Sequence, residues 1–520
     1  MILYTLAPVT IALSAVFTIL AAISLVLHIR RQKFRLASDL QVLPGPRGLP
    51  VLGSSHIIGR YDNPWDGFSA LRKKYGDVYG VTLGSRRCVV VSSLAAMREV
   101  LVSKSKDFAN RPNFLRFHAI FRGDRNFSVA LCDWSPKQKT RRELAFPYMH
   151  PRSASHGVER MNSFITKELQ DLISSLLTVQ NQVIEPRPFI LVCTANIFYQ
   201  YLCNKRFEPK DPTFQKVVEI YDVVFRELFQ GFAIDFMPWL KVFNKKRLQE
   251  LRDKADEVTK LTETIFNEHE ETLDENNPRD LVDIFLKHIK EDRKAGGKLA
   301  REDAEVTVDD LCGGHSVLGN LWLWGLYLVA GHPEVKERIQ AEVFQATHNH
   351  RHPCLQDKLS LSYTEATALE VLRVVSSPII PHVATKDTSV QGFYVPENTM
   401  VMFNTFDLNM DSDYWKEPRR FSPERFLTKE GRVLKPSYFF PFGTGKRTCL
   451  GDGLVKSTLL LGLGTIIQMF DVYLPEGADA PDLNAIPGLV VPRNEIKLIF
   501  RHRQSPVTIN AKETSVCLTL

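Results

Sequence analysis

The sequence predicts a mainly α fold with small β-sheets, preceded by an N-terminal transmembrane helix. Three features predict it: an uncharged apolar run at the amino terminus, a long stretch of helical periodicity, and a few short β-branched runs on either side of that stretch. Over 520 residues, 44% hydrophobic and 24% charged residues make the composition of a folded globule, not of a disordered chain. No internal repeat or low-complexity block divides it, so one large unit is expected.

Leu6 to Leu27 carries no charge and approaches the ~20 apolar residues that a membrane-crossing helix needs. A cleaved secretory signal would have a basic leader and a shorter apolar core. Residues 1–29 are therefore read as a signal-anchor. Arg30, Arg31, Lys33 and Arg35 follow it and supply four of the seven excess positive charges, which leaves the rest of the chain on the cytosolic side. The remaining excess is too small for a nucleic-acid-binding domain. Residues 30–50 read as a basic, proline-rich hinge, because Leu43 to Pro50 holds three prolines and two glycines. The globular domain is expected over 51–505, with a tail at 506–520.

Within the globule, Tyr79 to Gly84 and Cys88 to Val91 read as a β-hairpin, and a second short strand pair is expected between Val390 and Val401. Ser153 to Glu370 is mainly helical, with breaks near 186, 209, 238, 278, 296 and 333. Thr307 and Asp310 have capping-box spacing, which predicts a helix from Val308 to Val329 with Gly313 and Gly314 inside it. Each interior glycine costs roughly 1 kcal/mol relative to alanine, so the pair suggests close approach of backbone to a bound group. Leu454 to Met469 is a further apolar helix.

The eight cysteines include no C-x-x-C pair, which points to a reducing compartment. One of them, Cys449, lies in Phe442-Gly443-Thr444-Gly445-Lys446-Arg447-Thr448-Cys449-Leu450-Gly451, just before the last helix. A thiolate there is stabilised by the helix dipole and by nearby Lys and Arg, as a metal ligand requires. A P-loop is excluded, because Phe440 and Arg447 stand where Gly and Ser/Thr would be needed.

This loop resembles the cysteine signature of the cytochrome P-450 superfamily, the haem-thiolate monooxygenases, and matches it at Phe442, Gly445, Arg447, Cys449 and Gly451. The anchor, the proline hinge, Glu370-Val371-Leu372-Arg373 and Pro423-Glu424-Arg425-Phe426 follow in the superfamily's order. The resemblance implies a cytochrome P-450 fold and a haem-thiolate catalytic domain over 51–505. It also implies haem b with Cys449 as axial iron ligand, Phe442 and Gly443 beside the haem, and Glu370, Arg373 and Arg425 as a buried ionic triad bracing the loop. For the propionates it implies Arg447, His382 and Trp134. The superfamily's Trp-x-x-x-Arg is broken by Gln138, and Arg141 or Arg142 is expected to substitute. The implied partners are dioxygen, a membrane, NADPH-cytochrome P-450 reductase and, as a second donor, cytochrome b5. The implied location is the endoplasmic reticulum membrane, with the catalytic domain cytosolic. Lys137, Lys139, Arg141, Arg142 and Lys446 suit an acidic flavoprotein or form a solvated face.

The oxygen-activating helix departs from the superfamily. Where the usual pattern has an acid and a threonine that relay protons, this chain reads Gly313-Gly314-His315-Ser316-Val317. His315 or Ser316 is a candidate relay; His315 is equally a plain hydrogen-bonded helix residue. With Ala130 to Ser135 and Ser377 to Thr385, this segment resembles the Spook/Spookier group of insect Halloween enzymes. That resemblance implies ecdysteroid biosynthesis, in an early step on a 7-dehydrocholesterol-derived sterol. It also places the substrate pocket among Phe108 to Phe127, Gly314, Pro378 to Pro381 and Pro487 to Val490. Phe225 to Leu240 is expected either as an access channel or as core. The alternatives are a haem-thiolate isomerase or dehydratase that needs no proton relay, and a non-catalytic haem- or sterol-binding membrane protein. His348, His350, His352 and Cys354 alternate as metal ligands could, but read as a surface loop. Cys517 to Leu520 has prenylation spacing without need of it in an anchored protein.

Overall fold

The computed structural model describes Thr18 and residues 40–151, 155–229, 231–294, 296–297, 299–483 and 490–503. Apart from Thr18, the anchor expected over 1–29 lies outside the described residues, as do Pro487 to Leu489 and the tail at 506–520. No helix of the described residues is long and apolar enough to cross a membrane.

The long helices are α1 (Pro64–Tyr75), α2 (Pro136–Met149), α3 (His156–Thr178), α4 (Arg187–Cys203), α5 (Pro212–Phe229), α6 (Lys245–Glu271), α7 (Leu281–Lys294), α8 (Arg301–Cys312), α9 (Gly314–Ala330), α10 (Pro333–Thr347), α11 (Ser362–Val375) and α12 (Asp452–Met469). The strands are β1 (Val78–Leu83), β2 (Arg86–Val91), β3 (Val183–Ile184), β4 (His382–Val383), β5 (Thr388–Val390), β6 (Phe393–Val395), β7 (Met400–Phe403), β8 (Phe470–Tyr473) and β9 (Leu498–His502). They form three small sheets, ordered β1-β2-β7-β4, β3-β9-β8 and β5-β6. The mainly α character follows from the periodicity. The helix α9 is buried almost all round, with Trp322 and Leu326 fully enclosed, so it forms the centre on which the others pack.

The hairpin β1–β2 forms as expected, pairing Val78 with Val91 across a turn at Gly84, whose φ is +54°. The pair expected between Val390 and Val401 is divided. The strand β5 turns onto β6 through Gln391 and Gly392, both at positive φ, whereas β7 runs parallel to β2 in the first sheet. Residues 41–53 are bonded to the globule: Gly80 N–H donates to the Pro44 carbonyl at 2.8 Å, and Tyr394 N–H donates to that of Gln41 at 3.0 Å.

The helix start expected at Thr307 is corrected. Asp303 accepts the Ala300 N–H at 3.1 Å and begins α8 at Arg301, while the Thr307 hydroxyl donates back to the Asp303 carbonyl at 2.6 Å inside the helix. The acidic first turn Glu302-Asp303 suits the positive end of the helix dipole, and Thr307 satisfies itself on the preceding turn. The rod then breaks at Gly313 and resumes as α9.

Candidate functional site

The glycines shape the loop that carries Cys449. Gly443 and Gly445 have φ of +70° and +75°, which L side chains avoid. A Cβ on Gly445 would lie 1.8 Å from the Leu101 carbonyl oxygen, so the loop presses directly on the turn Glu99–Ser103. Cys449 N–H donates to the Phe442 carbonyl at 2.9 Å, and Gly451 N–H, at the start of α12, donates to Cys449 Sγ at 3.3 Å. Among the described cysteines six are buried and Cys449 is exposed. Yet burial pushes its thiol pKa up, against the pull of the Gly451 N–H, Arg142 and Lys456.

Glu370, Arg373 and Arg425 meet. Arg373 donates to both Glu370 oxygens at 2.7 and 2.8 Å, and Arg425 Nε donates to Glu370 Oε1 at 3.0 Å. Glu370 and Arg373 are fully buried. The remaining guanidinium hydrogens go to the Asn409, Lys416 and Arg420 carbonyls, so the buried charges are fully hydrogen-bonded. Trp415 lies 5.3 Å from Arg373 and stacks edge-on to Tyr438 and Phe439, the residues that lead into the cysteine loop.

A cationic cluster lies on the other side of that loop. Arg447 donates to the Ala109 carbonyl at 2.9 Å and to that of Cys132, and its guanidinium lies 5.6 Å from the Trp134 ring. Arg111, which sequence reasoning missed, donates to the carbonyls of Ala130, Ile380 and Pro381. Its only sequence signal is a lone charge inside Phe108-Ala109-Asn110-Arg111-Pro112. His382 Nδ1 donates to the Phe108 carbonyl at 2.7 Å, and its buried Nε2 has no partner. Burial, followed by repulsion from Arg447, lowers the pKa of Arg111 and of Arg142; burial and then Arg111 lower that of His382.

Of the two arginines expected to replace the one missing at Gln138, Arg142 reaches the loop, donating to the Thr448 carbonyl at 2.6 Å. Arg141 instead holds the Asn126 and Phe127 carbonyls. Trp134 precedes α2 rather than lying in it, because Ser135 caps that helix. The basic face is partly neutralised: Lys137 pairs with Asp303 at 2.9 Å and Lys139 with Glu143 at 3.5 Å.

On the helix rod, Asp310, Gly314 and Val317 are half-buried, and their i, i+4, i+7 spacing puts them on one face. Gly313 and Gly314 are explained by packing, since added Cβ atoms would lie 2.8 Å from Phe225 and 3.0 Å from Phe198. His315 Nδ1 donates to the Cys312 carbonyl at 2.8 Å, its ring meets Tyr221 edge-on, and its buried Nε2 is unpartnered. Burial lowers its pKa to about 4, so it is neutral near pH 7. The Ser316 hydroxyl donates to Asp222 on α5 at 3.0 Å. A cavity of about 50 Å³ lies between α5, α6 and α8, lined by the apolar Phe121, Val224, Phe225 and Leu228 and by the polar Arg122, Thr259, Asp309 and Asp310. The histidine-cysteine stretch does not converge: His352 is buried on Gln468, while His348 and His350 are exposed.

Residues 43–500 match the family model described as Cytochrome P450. The chain belongs to that family. It is 35% identical to Cytochrome P450 307a1 of Drosophila melanogaster over 490 residues, 87% of this chain and 89% of that one. It is 31% identical to a steroid 17-alpha-hydroxylase/17,20 lyase of Rana dybowskii over 468 residues, 88% of this chain and 89% of that one. With Cytochrome P450 1A5 of Gallus gallus it shares 32% identity, covering 86% and 87%. As a cytochrome P450 it is an NADPH- and dioxygen-dependent monooxygenase with a haem-thiolate cofactor and a reductase as electron donor.

The residues present fit the haem. Buried guanidiniums that repel one another, with an unpartnered imidazole nitrogen among them, are suited to a pair of carboxylates, and haem carries two propionates. Among the described cysteines, Cys449 is the exposed one, so a bound group can reach its sulfur.

Proposed function

We propose that this cytochrome P450 oxidises a sterol, in an early step of ecdysteroid biosynthesis from a 7-dehydrocholesterol-derived substrate. The observation that carries the reading is the 31% identity, over 88% of the chain, to a protein named as a steroid hydroxylase. The Spook-like segments around Cys132, Ser316 and His382 narrow it to the ecdysteroid route.

In this reading Cys449 would ligate the haem iron, and the haem, when bound, would supply the oxygen-activating chemistry. Phe442 and Gly443 would pack beside it, and Arg447, Arg111, Arg142, His382 and Trp134 would hold the propionates. Glu370, Arg373 and Arg425 fix the loop through Trp415, which keeps Cys449 in place without a contact of their own. Ser316 holds a proton on the oxygen side, and His315, neutral and turned onto Tyr221, shapes that wall.

The anchor at 1–29, the hinge at 30–50 and the catalytic domain at 51–505 complete the reading, with the domain on the cytosolic face of the endoplasmic reticulum. Trp239, Val242 and Phe243 are 56%, 65% and 79% exposed, and Leu49 and Val51 are 49% and 65% exposed. Both groups flank the turn at Gly84 and Ser85, where Ser85 N–H donates to the Phe236 carbonyl and Gly84 N–H to that of Leu52. An apolar face on that side suits a membrane surface.

The test is incubation of microsomes containing the chain and reductase with 7-dehydrocholesterol under isotopically heavy dioxygen, with and without NADPH. Labelled sterol product that requires NADPH is expected. An unlabelled rearranged product, or tight sterol binding without product, would overturn the proposal.

A further inference from the structure

The relay helix lacks its acid at position 316, but a carboxylate reaches that position from another helix. Asp222 Oδ1 accepts the Ser316 hydroxyl at 3.0 Å and the Asn320 amide at 2.9 Å, while Asp222 Oδ2 accepts Arg187 Nη2 at 2.5 Å. Arg226 lies 3.8 Å away, and the Asp222 side chain is only 8% exposed. Asp222 falls on the apolar side of α5, between buried Val218, Tyr221 and Val224, where an acid has no packing reason to be.

On its outer side Asp222 lines a recess of about 580 Å³ between α3, α4 and α5. Glu168, Asp171, Glu185 and Glu219 share its wall with Arg187 and Lys210, so it is polar enough to hold water. Asp222 is thus the point at which a polar, acidic recess touches the helix whose half-buried face carries Gly314 and Val317.

We propose that Asp222 supplies from α5 the carboxylate that α9 lacks, and carries protons from the recess to Ser316. This rests on the reading of Ser316 as the proton-holding group on the oxygen side of the haem. Asp222 takes a proton from water in the recess and gives it to Ser316 Oγ as Ser316 releases its own hydroxyl proton toward the oxygen side. The carboxylate is then restored beside Arg187. Asn320, bonded to Asp222, to the Ser316 carbonyl and to Arg187, keeps the three groups aligned. Asp222 acts through Ser316 and is a positioning residue, not a catalytic one.

The competing role is a clamp that only ties α4, α5 and α9 together. The full-length chain with reductase, in microsomes, distinguishes the two. The carbon monoxide spectrum of the reduced, unmutated protein is recorded first, because its absence would defeat the haem reading and not this one. In Asp222→Asn, with that spectrum and sterol binding retained, product per NADPH is expected to fall about tenfold or more, with peroxide released instead and a larger solvent deuterium effect on turnover. Asp222→Glu is expected to restore coupling. Ser316→Ala, which leaves the Asp222–Arg187 pair in place, should reproduce the loss and decides the matter if Asp222→Asn does not fold. Unchanged coupling and isotope effect in Ser316→Ala, or in a folded Asp222→Asn, would overturn the proposal.

Discussion

The loop that carries Cys449 and the helix rod that carries Ser316 are built on opposite plans. The loop is local in sequence and over-determined: two glycines at positive φ, a backbone contact at Leu101, and a triad with every charge bonded lie behind one sulfur. The rod is broken at Gly313, the positions proposed for the relay hold Ser316 and Val317, and the polar partner of Ser316 comes from a distant helix. Rigid placement suits a metal ligand, whereas chemistry that differs between substrates is set by side chains that can be exchanged without unfolding the protein.

The comparison breaks most completely at Cys449. Cys449→Ser should leave the fold in place but abolish the thiolate carbon monoxide spectrum and all sterol oxidation; retention of that spectrum would move the ligand elsewhere. Glu370→Ala comes next. It strands Arg373 and Arg425 without their shared carboxylate, a loss on the order of 3–5 kcal/mol for a buried network. Haem content per purified protein should collapse, and normal content would show that the loop holds without the triad.

A smaller effect is expected at Arg111, whose guanidinium lies with Arg447 and His382. Arg111→Ala should speed haem transfer to a scavenging apoprotein, by an amount corresponding to roughly 1.5–3 kcal/mol for a hydrogen bond to a charged group. Transfer at the parent rate would remove Arg111 from the propionate set.

How much was legible follows the same division. The helical centre, the hairpin, the terminal helix and the meeting of Glu370 with Arg373 could be read because each depends on neighbours in sequence or on a periodic pattern. Arg111 and Asp222 could not. Each is a single charge in no motif or periodic pattern of its own, and its partners, Ile380 or Ser316, are brought together only by tertiary packing. Thr307 misled for a related reason: capping spacing is local evidence, but Asp303 made an earlier helix start, and a threonine mid-helix can satisfy its hydroxyl on its own turn.

The smallest expected effect sharpens the comparison on the rod side, through pH. His315 is fully buried and its pKa is lowered to about 4 by burial, against the ordinary 6.5. The unfolded chain binds a proton at this residue as pH falls below about 6.5, and the folded chain does so only near 4. Between those values the unfolded state holds more protons, so stability contributed by neutral His315 is fully present above 6.5 and lost as pH falls, by at most about 1.4 kcal/mol per pH unit. Asp309 and Asp310 have the opposite sign: burial raises them to about 7 and about 6, so the folded state keeps protons that the unfolded state has released, and acid favours it. The His315 contribution is therefore isolated by difference. His315→Asn should be closer to the parent in urea midpoint at pH 5 than at pH 7, because it no longer carries the acid penalty. An equal gap at both pH values would mean that His315 is protonated in the folded protein, with Asp222 or Tyr221 compensating it.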